Sequence, residues 1–114
     1  MQKSRFRSMP VTEVDHDAQH VDARLLEEFL SGRDAAFDPI YASYNQKLFA
    51  FISRMIFDED AAKDIAHQVW EKVILQRGNA DRERVQNVGG YLITLARNLA
   101  LDHLRKTKKY TGLE

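Results

Sequence analysis

The chain has 114 residues, 44% of them hydrophobic, which suits one globular domain and is too short for two independent cores. It has no cysteine, which excludes disulfide scaffolds, thiolate zinc sites and cysteine nucleophiles, and it has no apolar run near the roughly 20 residues that span a bilayer. Its 17 basic and 17 acidic residues cancel, so any charged partner must be met by local runs rather than by the sum.

Residues 1–20 lack periodicity and read as a flexible tail. Met1 to Pro10 is polar and basic with no apolar h-region, so it does not read as a signal peptide, and a cytoplasmic protein is expected. From Val21 the pattern turns helical. Asp22 is placed to cap a helix through Ser31, with Leu25, Leu26, Phe29 and Leu30 inward and Gly32 at its end. Asp34 or Asp38 opens the next helix, with Pro39 in its first turn. That helix runs to about Phe57 on the stripe Phe37, Ile40, Tyr41, Tyr44, Leu48, Phe51, Ile52 and Met55. A third helix is expected from Asp60 to about Gln76, its acids favouring the positive end of the helix dipole. Ala62, Ile65, Ala66, Val69 and Val73 would face inward, and Asp60, Asp64, His67, Gln68 and Glu71 would form an outward ridge.

Gln76 to Gly90 breaks the pattern with polar and glycine residues and reads as a long loop, with Gly89-Gly90 as a loop-to-helix hinge. Asn87 is positioned to cap the last helix. That helix, through Tyr110, carries Leu92, Leu95, Ala96, Leu99 and His103 on one side and Thr94, Asn98, Arg105 and Lys108 on the other. Trp70 and Tyr91 are assigned to the core. No strand alternation occurs, so the expected fold is all-α: a compact bundle of about four helices over 21–110, with a long loop before the last.

Charge is polarised along the chain. Glu13 to Glu28 holds six acids and one arginine, Asp58 to Asp64 four acids and one lysine, and Arg97 to Lys109 five basic residues and one acid. Enzymatic constellations are thin. Asp64 and His67 have the i,i+3 spacing of metal ligands, but a di-metal bundle needs that motif twice with inward carboxylates. His16 and His20 lie in the presumed tail. No catalytic residue, metal or cofactor is expected. Binding signals are stronger, because the last helix joins cations to an amide and the loop before it carries Arg77, Arg82 and Arg84 beside Asn79 and Asn87. A basic, amide-bearing loop suits an unstacked base better than a continuous duplex.

Three blocks resemble region 2 of the sigma-70 superfamily, specifically the extracytoplasmic-function (ECF) sigma factors, over about Leu25 to Lys109. AFDPIYASYNQKLFAFISRMI resembles the family's first conserved helix, DAAKDIAHQVWEKV its polymerase-binding helix, and NVGGYLITLARNLALDHLRK its promoter-melting helix. The N-x-x-x-Y-L wording of the third is similar to the iron-uptake branch.

The resemblance implies a promoter-recognition domain with no covalent chemistry. The ridge Asp60, Asp64, His67, Gln68 and Glu71 would dock on the coiled-coil clamp helices of the RNA polymerase β′ subunit. The family usually has Asp, Gln and Glu where this chain has Asp64, His67 and Gln68, so a charge is lost and an imidazole gained. Asn79, Arg82, Arg84 and Asn87 in the loop, with Asn98, Arg105 and Lys106 on the helix, would meet the non-template strand of the minus-ten element. The family often has a basic residue and an alanine where this chain has Gly89-Gly90. The resemblance also implies an anti-sigma or membrane-associated regulator, and a linker and second helical domain beyond Glu114; the closing Leu113-Glu114 reads as a cloning remnant. The competing expectation is a helical interaction module that binds a regulator and no DNA.

Overall fold

The computed structural model describes residues 20–111, with side chains through 108. The expectations for a flexible tail and for a C-terminal remnant fall on residues outside this range or at its edge. Within it lie four α-helices and no strand: α1 over residues 20–30, α2 Phe37–Met55, α3 Glu59–Leu75 and α4 Val88–Thr111. A short 3₁₀ turn, Asp34–Ala36, leads into α2.

Helix α1 is already under way at residue 20, so Asp22 does not cap it. The Asp22 carboxylate instead accepts from the Tyr44 hydroxyl at 2.6 Å, tying α1 to α2. Gly32 ends α1 at φ +117, a backbone conformation that costs glycine least. Neither Asp34 nor Asp38 caps α2, which grows directly out of the 3₁₀ turn. The α2 stripe ends at Met55, two residues short of Phe57; Ile56 turns into extended backbone with its side chain buried, leaving Phe57 94% exposed. Asp58 then caps α3, accepting from the backbone N–H of Asp60 and Ala61 at 3.0 and 3.2 Å.

Helices α2, α3 and α4 pack pairwise, and α1 lays Leu26, Phe29 and Leu30 into the same core. Ile52, Val69, Val73, Val88 and Ala96 are fully buried. Each such aliphatic larger than alanine contributes about 1.5–3 kcal/mol relative to exposure. No polar or charged side chain among the described residues is fully buried. Trp70 belongs to the core, 5% exposed, and its indole N–H donates to Asn45 Oδ1 at 3.0 Å. Its ring lies edge-on to Phe37 and tilted against Tyr41, with centroids 5.6 and 5.2 Å away. Tyr41, placed in the stripe by its spacing, is instead 42% exposed, its ring tilted against Phe37 and Trp70.

Gly89 and Gly90 lie inside the first turn of α4 rather than in a hinge. Asn87 Oδ1 accepts from the Gly90 N–H at 2.9 Å, which satisfies one of the otherwise orphaned donors of that turn.

Candidate nucleic-acid and protein interface

Two surfaces carry most of the residues that spacing, loop composition and the family resemblance single out; Asn98, Arg105 and Lys106 lie farther along α4. The first is the ridge of α3. Asp60, Asp64, His67, Gln68 and Glu71 are all exposed on one rigid helix. His67 Nε2 lies 3.3 Å from Glu71 Oε2, and Lys63 and Glu59 approach to 3.7 Å. Asp64 makes no ion pair with a described residue, so its carboxylate is open to a partner's cation. Beside the ridge, α2 and α3 leave an aromatic groove of about 540 Å³ that includes Phe37, Tyr41, Phe49, His67 and Trp70.

The second surface is where residues 76–87 meet α4. A groove of about 550 Å³ lies there, lined in part by Arg82, Arg84, Asn87, Gly90, Tyr91 and Thr94. Tyr91, assigned to the core by its spacing, is half-buried and forms part of this wall. Burial pushes its phenol above the usual range, and the Arg82 guanidinium nearby offsets part of that rise.

The loop is not free. Arg77 at its root donates from Nε to the Phe29 carbonyl at 2.9 Å, pairs with Asp34 at 2.8 Å, and sits 4.2 Å above the Phe29 ring. The Gly78 N–H reaches the Leu30 carbonyl at 3.4 Å. Farther along, Arg82 grips both Glu27 carboxylate oxygens at 3.0 and 2.8 Å, with side chains 14% and 30% exposed. A bidentate charge-assisted pair of this kind contributes on the order of 1–3 kcal/mol. Those hydrogen bonds hold the Glu27 carboxyl below its ordinary value against the upward push of partial burial, and Glu27 in turn raises the Arg82 guanidinium.

The expected strand-binding residues therefore divide. Asn79 spends both ends of its amide inside the loop, donating to Gln76 Oε1 and accepting from the Asp81 N–H. Arg82 is committed to Glu27, and Asn87 to the α4 cap through its oxygen, which leaves the Asn87 amide nitrogen available. Arg84 is exposed, with no ion pair to a described residue. Asn98 is exposed on α4. Arg105 and Lys106 share the Asp102 carboxylate at 3.7 and 3.2 Å, but with side chains 71% and 78% exposed these are weak pairs that a phosphate can displace. His103 is half-buried, with Thr107 Oγ1 3.4 Å from its Nε2. Spacing did not mark Glu27, Phe29 or Asp34 as parts of this surface. Among the described residues no three His, Cys, Asp or Glu side chains cluster to hold a metal, and no helix is long and apolar enough to cross a membrane.

Residues 40–110 match the family described as Sigma-70 region 2. The chain belongs to that family. Sigma-70 region 2 is a domain of transcription initiation factors, and the match takes in α3, the loop and all but the end of α4. Over 84 residues the chain is also 24% identical to the ECF RNA polymerase sigma factor BldN of Streptomyces coelicolor, covering 74% of this chain and 31% of the relative. The chain thus spans about a third of the length of that curated relative. No solved structure matches it. Helix α1, which supplies Glu27 and Phe29, lies ahead of the residues that match Sigma-70 region 2.

Proposed function

We propose that the chain is the promoter-recognition domain of an ECF sigma factor, acting in the cytoplasm with the RNA polymerase core. The observation that carries this is the coincidence of the Sigma-70 region 2 match with two separate surfaces: an exposed, partly acidic ridge on α3 and a groove at the loop–α4 junction lined by Arg82, Arg84, Asn87 and Tyr91. The ridge Asp60, Asp64, His67, Gln68 and Glu71 docks on the β′ clamp helices, with Asp64 pairing a clamp cation. The groove takes an unstacked base of the minus-ten non-template strand. Arg84, Asn98, Arg105 and Lys106 hold the strand's phosphates, Asn79 shapes the loop from within, and Arg82 and Asn87 reach the base edge. Each base captured by stacking and enclosure contributes about 1–3 kcal/mol, comparable with the cost of unstacking it. No bond is made or broken; the domain holds open a strand that the polymerase positions. An anti-sigma or membrane-associated regulator would act by covering one of these surfaces. The N-x-x-x-Y-L wording at Asn87 to Leu92 supports the iron-uptake branch.

The test is a titration of the chain against the isolated clamp-helix fragment, then against single-stranded minus-ten oligonucleotides of both strands. Clamp binding that falls more than about tenfold in Asp64→Arg, with a salt-sensitive preference for the non-template strand, is expected. Absence of clamp binding in the unmutated chain would sink the proposal. Clamp binding without strand binding would leave a protein-interaction module.

A further inference from the structure

We propose that Glu27 on α1 is a positioning residue for strand recognition: by gripping Arg82 it fixes the loop 76–87 in register with the start of α4. This rests on the strand-binding reading of the groove and goes beyond it, because it places a determinant of recognition on a helix outside the Sigma-70 region 2 match.

Of the ion pairs among the described residues, Glu27–Arg82 is the least exposed on both sides, and it joins positions 55 apart in the chain. Two parallel N–H···O bonds fix the plane of the guanidinium as well as its distance, which a single contact to a lysine would not do. Arg82 and Arg84 line the main groove and also a smaller hollow of about 220 Å³ bounded by Glu27, Asn79 and Ala80. Arg82 therefore borders both hollows, and Glu27 grips it from the smaller one. Arg77 secures only the root of the loop, through Phe29 and Asp34. Glu27 secures its middle.

The charge balance gives this arrangement a specific consequence. With Glu27 in place, the Arg82 charge is neutralised. Its remaining N–H groups are held in one orientation, suited to an acceptor on a base edge. Arg84 is left as the nearby cation for phosphate. Without the carboxylate, Arg82 becomes a mobile cation that any phosphate can attract. Loss of Glu27 should therefore trade discrimination for indiscriminate affinity, the opposite of a simple loss of binding.

The experiment selects a random single-stranded DNA pool on the wild-type chain. The recovered strand and its single-base variants are then titrated, across salt, against wild type and Glu27→Gln, with the isolated clamp-helix fragment as a parallel ligand. In Glu27→Gln the ratio of affinities between the recovered strand and its variants is expected to fall about tenfold. The salt slope is expected to steepen by about 0.7, as for one added phosphate contact to a single strand. Clamp binding is expected to stay as in wild type. Unchanged discrimination and slope in Glu27→Gln would overturn the positioning role and leave the groove reading intact. Failure of the wild type to enrich any strand would bring down the groove reading and this proposal together. Arg82→Lys keeps the charge and gives up the fork, and it is expected to lose discrimination likewise. Full discrimination in that variant overturns the proposal even where Glu27→Gln is too unstable to assay.

Discussion

The α3 ridge and the 76–87 loop present functional side chains in contrasting ways. The ridge is a product of local structure: Asp58 caps the helix, buried residues on the opposite face seat it, and the exposed side chains follow from helical periodicity. The loop has only short turns of its own around Asn79. Its shape comes from Arg77 and Arg82 reaching back 48 and 55 residues to α1. A partner surface built on a helix is insensitive to distant substitutions short of unfolding. One built on a moored loop is exposed to every change in its moorings. Under the proposed assignment, clamp binding and strand binding should therefore respond separately to mutation.

The bluntest way to erase that contrast is to damage the support common to both regions. Leu92 is 1% exposed on α4, within the core that α2, α3 and α4 share. Leu92→Ala is expected to cost about 2–5 kcal/mol in urea unfolding and to weaken clamp and strand binding together. Cutting one mooring should instead sharpen the contrast. Arg77→Ala removes an ion pair, a hydrogen bond to the carbonyl of buried Phe29 and a cation–π contact, at about 1–3 kcal/mol. Amide exchange is expected to quicken in residues 78–87, with α3 protection and clamp binding retained; equal acceleration in α3 would break the comparison.

Acid gives a smaller, graded version of the same cut. The Glu27 carboxyl titrates below its ordinary value of 4.5 because Arg82 holds it. Its contribution is therefore complete above that value and is lost as pH falls through the lowered, folded-state value. The stability gap between wild type and Glu27→Gln should be constant near neutral pH and close on acidification below about 4.5. A gap that does not narrow with acid would assign it to packing instead. The smallest effect is expected at Gly89, where an added Cβ would meet Tyr44 Cε1 at 3.5 Å, an ordinary contact. Gly89→Ala should stabilise α4 by about 0.5–1 kcal/mol, read as a raised unfolding midpoint, with little change in clamp binding.

Much of this was legible from residue spacing. The stripes of α2, α3 and α4, the exposed α3 ridge, Asn87 as a cap and Trp70 as core all follow from 3.6-residue periodicity and local cap chemistry, which are written into neighbouring positions. What escaped was tertiary. Asp22 has the composition of a cap yet serves as an acceptor for Tyr44, because its helix starts earlier than the periodicity suggested. Gly89-Gly90 resembles a hinge, but burial of Val88 and Leu92 on either side carries the helix through it. Arg82 reads as a free, strand-contacting residue of the loop because nothing near it in sequence foretells Glu27. A guanidinium–carboxylate pair 55 residues apart has no local signature. The loop was thus recognised as a loop, and its shape was not.

The chain has one tryptophan, and its place gives the molecule a built-in optical probe. Trp70 is held by Asn45 and enclosed by Phe37 and Tyr41, so its emission should red-shift when α2 and α3 part and stay nearly silent when only the loop slips from α1. Intrinsic fluorescence would then follow the scaffold alone. Set against a label on the loop, it would separate the two kinds of failure in a single cuvette.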